Sequence, residues 1–326
     1  MAENNVGVDE LLEIYRRASL INKTDERFRS LLTAGKIRIV YYPVRGQEVV
    51  SAAMMSALRP DDYLVTTYRG VHDQLAKGVD LKELWAEFTG RVDGTCKGKG
   101  GPMHITDPKN GVMVTTGVVG SGLPIANGLA LSSKMKKDGR VTVVCFGDGA
   151  TNIGAFHEAM NMAAIWALPV VFCCQNNRYG EHTPYAEATS AEKVVDRAPA
   201  YRMNAARVDG NDAEAMFLAA KQAVDRARRG DGPTLLEGMT YRMLGHTFGA
   251  DTSYVPASFR DEAIANDPMP RFRKLLLERQ VSEATLQALE AEIDKRLDDA
   301  VEFALTSPYP DVSELRRDVL GEEIAA

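Results

Sequence analysis

Cysteine is scarce in this chain: Cys96, Cys145, Cys173 and Cys174 are the only four in 326 residues. Three of them fall in runs that read as buried strands, and two are adjacent. That fits reduced packing residues better than a disulfide framework or a metal site. No apolar run approaches the roughly 20 residues needed to span a bilayer. Basic clusters are missing as well, and the formal net charge is −6. Nucleic acid and anionic membranes are therefore not expected partners. The opening MAENNVGVDELLE has neither a basic n-region nor an apolar h-region, so no signal peptide is read there and a cytoplasmic location is expected. There is no internal repeat and no low-complexity linker. No strand is followed by GxGxxG with an acidic residue about 20 positions on, which weakens a nicotinamide-binding reading.

What is present is ordinary globular composition, 45% hydrophobic and 26% charged, fitting one large α/β domain with appendages. Residues 141–146 and 170–174 are short, β-branched, apolar runs of the kind found in parallel sheets covered on both faces. Between them Phe156, Met160, Ala163, Ala164 and Ala167 recur at helical spacing. The remaining pattern predicts helices over 8–34, 47–58, 81–88, 120–136, 190–197, 213–229 and 281–305. Further strands are expected over 61–67, 205–208 and 234–239. Residues 90–118 and 243–258 show no period; an aperiodic stretch as long as the first is usually functional.

The strand–helix–strand unit over 141–179 brings Asp148, in Gly147-Asp148-Gly149, beside Asn177 at the carboxyl ends of neighbouring strands. Ligands bind there in open α/β sheets. A carboxylate and an amide oxygen are hard ligands suited to Mg²⁺ with phosphates and water. Glycines allow close backbone approach, and the following helix aims N–H groups at an anion. Taken alone, the GDG triplet also fits a tight turn with a capping Asp.

Together, GDGATNIGAFHEAMNMAAIWALPVVFCCQNNRYG resembles the thiamine diphosphate-binding signature, and in particular the α subunits of 2-oxo acid dehydrogenase E1 components. RGQE (45–48), TYRG (67–70), CKGKGGPMH (96–104), GVVG (117–120), DGND (209–212) and MTYRMLGHTFGAD (239–251) are similar to blocks of that family in the same order. Acetoin and pyruvate dehydrogenase α chains are nearest in pattern, the former especially through IWALPVVF (165–172) and RYGEHTP (178–184). The resemblance implies a thiamine diphosphate-binding α/β fold, a parallel sheet with helices on both faces. Its parts would be an N-terminal helical extension (1–60), the α/β domain (61–270) and a C-terminal helix and tail (271–326). It implies Mg²⁺ held by Asp148, Asn177 and the Tyr179 carbonyl, with Gly149 and Ala150 lining the diphosphate and Tyr68 and Arg69 binding it. Gly117 and Val119 would touch the pyrimidine side, and His246 would be catalytic, donating a hydrogen bond or relaying a proton.

Two departures stand out. Tyr42 occupies a place where many relatives carry a histidine that helps to hold the 2-oxo acid. It is the second catalytic candidate, able to donate a hydrogen bond but not to carry a proton as imidazole does. Arg69-Gly70-Val71-His72 moves another histidine by one residue. A glutamate for the cofactor's aminopyrimidine is missing from the motifs; Glu48 qualifies only by composition. In the family that group comes from a β subunit, which implies an α₂β₂ heterotetramer passing its acyl fragment to a lipoyl E2. The alternative is a thiamine diphosphate-dependent lyase or ligase not coupled to E2; a cofactor-sequestering pseudo-subunit is disfavoured by intact Asp148, Asn177 and His246.

Overall fold

The computed structural model describes residues 6–318. Residues 1–5 and 319–326, which the leader reading and the 1–60 and 271–326 parts include, lie outside the described residues. The chain opens with α1 (Val8–Thr33) and α2 (Glu48–Ser56), then β1 (Tyr63–Thr67), α3 (Val71–Lys77) and α4 (Leu81–Phe88). There follow β2 (Val112–Thr116), α5 (Gly122–Lys136), β3 (Thr142–Gly147), α6 (Gly154–Ile165) and β4 (Val170–Asn176). A short hairpin, β5 (Tyr179–Gly180) and β6 (Thr183–Pro184), leads to α7 (Tyr185–Ala188), β7 (Asn204–Asp209), α8 (Ala213–Arg228) and β8 (Thr234–Met239). Helices α9 (Ala257–Ala265), α10 (Pro268–Glu278) and α11 (Glu283–Thr306) complete it.

The six long strands form one parallel sheet in the order β2-β1-β3-β4-β8-β7. Period-two alternation sorts their side chains into two cores. Val143, Cys145, Val171, Cys173 and Leu236 join the core built by α1, α2, α8 and α11. Val144, Phe146, Val170, Phe172, Cys174 and Leu235 join Leu123, Ala126, Phe156, Met160 and Ala163 of α5 and α6. Each fully buried Val, Leu, Phe or Met among these contributes about 1.5–3 kcal/mol relative to exposure. The sheet is thus covered on both faces, as the near-continuous apolar strands predict. All four cysteines are free and the three strand cysteines are buried. Among the described residues no helix is long and apolar enough to cross a membrane.

Three expectations need correction. The 190–197 helix is instead a 3₁₀ segment, Val194–Tyr201; Pro199 lies inside it and left-handed Arg202 ends it. The aperiodic 90–118 stretch hides an edge strand, β2, whose five residues are too few to show a period. Helices α3, α9 and α10 were not foreseen in the pattern. The rest of that aperiodic stretch is held from within. The buried Glu87 carboxylate accepts the N–H groups of Cys96 (2.7 Å), Gly98 (2.9 Å), Gly100 (2.8 Å) and Gly101 (2.9 Å).

From β1 the chain runs outward to β2 and returns to β3 on the other side of β1. The loops leaving β1 and β3 therefore diverge and open a crevice at their carboxyl ends.

Candidate active site

A cavity of about 360 Å³ occupies that crevice. Tyr68 and Arg69 enter it after β1, Asp148, Gly149 and Ala150 after β3, Asn177 and Tyr179 after β4, and Arg242 and His246 after β8. Val119, from the loop before α5, lines it too. The structure thus brings together all but Gly117, Tyr42 and Glu48 of the residues singled out above. Gly117 packs instead behind the wall, where an added Cβ would meet Met103 at 2.9 Å. Tyr42 stands behind Tyr68 and His246, its ring edge-on to both at centroid distances of 4.6 and 5.5 Å.

Asp148 is 1% exposed, and neither carboxylate oxygen has a hydrogen-bond partner. Burial pushes its pKa up to about 6; the nearby N–H groups of Asp148 and Asn177 offset this only in part. A buried anion without a donor is costly unless a cation meets it. Asn177 is held ready beside it: its amide nitrogen donates to Gln47 Oε1 at 2.8 Å, and its Oδ1 accepts the Tyr179 N–H at 3.2 Å. Tyr179 and Pro184 form the non-hydrogen-bonded pair next to the Arg178–Tyr185 pair, so the Tyr179 carbonyl points away from the hairpin. Among the described residues no three His, Cys, Asp or Glu converge as a metal cluster. The set here contains one carboxylate, one amide and one backbone carbonyl, so it falls outside that definition.

Gly149 and Gly180 pack backbone against backbone: a Cβ on Gly149 would lie 3.0 Å from the Gly180 Cα. This contact seats the β5–β6 hairpin on the GDG turn. Two cations flank it. Arg69, nearly buried, donates to the Pro43 carbonyl at 2.8 Å and to the His246 carbonyl at 2.9 Å. Burial, followed by repulsion from Arg242, lowers its pKa to about 10, so it stays charged at neutral pH. Arg242 donates to the Glu181 carbonyl at 2.6 Å and the Tyr254 hydroxyl at 2.7 Å.

His246 Nδ1 lies 3.2 Å from Arg69 Nη2. A guanidinium can only donate, so Nδ1 accepts and the ring proton belongs on Nε2. Burial, then Arg69 and Arg242, push the His246 pKa down to about 4. The imidazole is neutral near pH 7, a hydrogen-bond donor rather than a stored acid.

The other histidines have settled partners. His72 is buried at the cavity floor, with Nε2 2.8 Å from Gln175 Oε1 and Nδ1 3.1 Å from the Arg69 carbonyl. His104 Nδ1 is 3.4 Å from the Thr115 carbonyl, and His157 Nδ1 is 2.6 Å from the Tyr201 hydroxyl. His182 packs on the Tyr254 ring at 4.7 Å. Glu48 is buried away from the cavity, taking hydrogen bonds from Asn22, Arg45 and the Gly46 N–H. Gln47, Arg242 and Glu181 are cavity residues that the sequence did not single out. All three lie inside motif blocks that were read as blocks, Glu181 in RYGEHTP (178–184).

The family model described as "Dehydrogenase E1 component" matches residues 16–313. The acetoin:2,6-dichlorophenolindophenol oxidoreductase α subunit of Bacillus subtilis is 39% identical over 312 residues, 95% of this chain and 93% of that protein. The pyruvate dehydrogenase E1 α subunit of Zymomonas mobilis is 36% identical over 319 residues, covering 96% and 89%. A chloroplastic pyruvate dehydrogenase E1 α-3 subunit of Arabidopsis thaliana is 36% identical over 321 residues, covering 96% and 75%. With the crevice, the GDG turn and the paired Asn in their places, this chain belongs to the dehydrogenase E1 component family and is of its α-subunit type.

Proposed function

We propose that the chain is the α subunit of a thiamine diphosphate- and Mg²⁺-dependent E1 that cleaves a 2-oxo acid or an acyloin such as acetoin. The observation that carries this reading is Asp148, a buried carboxylate with no donor, between an oriented amide oxygen and two arginines. Asp148, Asn177 Oδ1 and the Tyr179 carbonyl would hold Mg²⁺, an oxygen-only set that suits this ion. Tyr68, Arg69 and Arg242 would hold the diphosphate by charge-assisted hydrogen bonds, with Gly149 and Ala150 close against it. Val119, with Gly117 behind the wall, stands on the side left for the pyrimidine.

When bound, thiamine diphosphate supplies the nucleophilic carbon that opens the bond next to a carbonyl. The chain's own residues orient and protect it. His246 offers its Nε2–H to oxygen that gains negative charge, and its neutrality leaves that hydrogen bond available throughout the physiological range. Tyr42 packs edge-on against Tyr68 and His246.

The partner is an E1 β subunit, in an α₂β₂ assembly, with a lipoyl E2 as acceptor. Two observations support an incomplete site. The acidic lining residues are Asp148, assigned to the metal, and Glu181, exposed at the hairpin tip. Beside the cavity mouth Val118 and Val119 are 69% and 47% exposed, an apolar rim suited to a covering subunit. A lyase or ligase not coupled to E2 is the second reading, motivated by Tyr42 standing where a substrate-holding histidine is expected.

The test mixes this chain with its β subunit, thiamine diphosphate, Mg²⁺ and an artificial electron acceptor. Turnover of a 2-oxo acid or acetoin only when both chains are present is the expected result. Cofactor binding without turnover of any donor would move the assignment to the lyase or ligase.

A further inference from the structure

Glu181 is the one cavity side chain whose charge the reading above leaves unused. It sits at the tip of the β5–β6 hairpin in a left-handed conformation (φ 55°), which a non-glycine residue adopts rarely. The conformation is held on both sides. The preceding Gly180 packs on Gly149, and Arg242 grips the Glu181 carbonyl at 2.6 Å. Its side chain is exposed, and its carboxylate makes no hydrogen bond or ion pair among the described residues. Gly149 belongs to the turn assigned to the diphosphate, so Glu181 stands one residue beyond the phosphate end. From there its charge reaches His246 at the reacting end, whose ring lies 6.3 Å from that of the neighbouring His182, and Tyr68 at the diphosphate end.

The cations of the cavity cannot balance this charge for a substrate. Arg69 and Arg242 are its cationic lining residues, each tied to backbone carbonyls and each assigned to the diphosphate. His72 keeps both ring nitrogens on Gln175 and the Arg69 carbonyl, and His246 is neutral. A substrate carboxylate would meet a fixed negative charge and no free positive one from this chain. An uncharged donor would not meet that repulsion.

Resting on the E1 reading, we propose that Glu181 is a specificity-determining residue that disfavours anionic 2-oxo acids and selects an uncharged α-hydroxyketone as acyl donor. The experiment uses the α–β complex with thiamine diphosphate and Mg²⁺, comparing wild type with E181Q and E181D. Turnover of acetoin and of pyruvate is followed with dichlorophenolindophenol, and binding of oxamate, an unreactive anionic isostere of pyruvate, by calorimetry. In E181Q the acetoin-to-pyruvate ratio of kcat/KM should fall roughly tenfold and oxamate should bind roughly tenfold tighter, the scale of one nearby charge in a partly wet site. E181D, which keeps the charge, should stay near wild type. A ratio and an oxamate affinity in E181Q within twofold of wild type would overturn the assignment. If the wild-type complex binds no thiamine diphosphate at all, the E1 reading falls first and this assignment falls with it.

Discussion

Glu87 and Asp148 are carboxylates buried to nearly the same degree, 0% and 1% exposed, in opposite surroundings. Glu87 is met by four backbone N–H groups of the glycine-rich loop that folds around it. Asp148 is met by none in bonding geometry, and burial raises its pKa to about 6. A carboxylate saturated by its own chain is part of the fold. One left unsaturated at a strand end, lining the same cavity as an oriented amide and two arginines, is where we propose that a cation binds. Burial alone therefore says little about function; the state of the oxygens separates the two.

The sharpest way to break the comparison is Asp148→Asn. Mg²⁺-dependent thiamine diphosphate binding by the α–β complex should fall by at least a hundredfold, read by calorimetry. The metal-free chain should become more stable, because roughly 3 kcal/mol of unmet carboxylate burial is removed near neutral pH. Glu87→Gln should show the opposite pattern in chemical denaturation. The loss of stability should be about 2–3 kcal/mol, since N–H groups are left facing an amide nitrogen. Cofactor affinity of the folded complex should change by less than about threefold, since the loop contributes no side chain to the cavity lining. Gln47→Ala acts more mildly on the first pattern. It frees the Asn177 amide to turn, and Mg²⁺-dependent binding should weaken roughly tenfold, the worth of about one orienting hydrogen bond.

The smallest effect concerns pH. His246 titrates near 4 in the fold and near 6.5 in the unfolded chain. As pH falls through that window the unfolded chain takes up a proton that the folded chain refuses. The stability contributed by this group is present above about 6.5 and is lost toward 4. Thermal unfolding of His246→Asn should therefore depend less steeply on pH in that window than wild type. An identical pH dependence would mean that the imidazole is not held neutral.

Much of this was legible in the sequence, for physical reasons that differ by element. The β3–α6–β4 unit declared itself because buried parallel strands read as apolar runs and because helix and strand periods differ. With it came Asp148 and Asn177, fixed at strand ends by chain geometry alone. Helix α3 was hidden because almost every side chain in it is buried, leaving no polar face to mark its period. Strand β2 was too short to show alternation, and the role of Glu87 depends on backbone N–H groups that no side-chain pattern records. Within the site, Gln47 and Arg242 lay in blocks already noted, yet their partners are set by tertiary contacts with Asn177 and the hairpin. Tyr42 drew attention by its motif position, while its edge-on packing on Tyr68 and His246 is set by tertiary contacts. Glu181 lay in the RYGEHTP stretch, but its place at the cavity was hidden, since a charged hairpin tip looks like any exposed turn until Gly180 is seen packed on Gly149.

The central claim is that the orphaned Asp148 carboxylate is completed by a cation carrying a diphosphate. The most direct measurement is thermal unfolding of the α–β complex, wild type and Asp148→Asn, with Mg²⁺ and thiamine diphosphate added singly and together. The predicted result is strong stabilisation of wild type only when both are present, and none in the variant. Equal stabilisation of the two proteins, or stabilisation of wild type by thiamine diphosphate without any divalent cation, would contradict it.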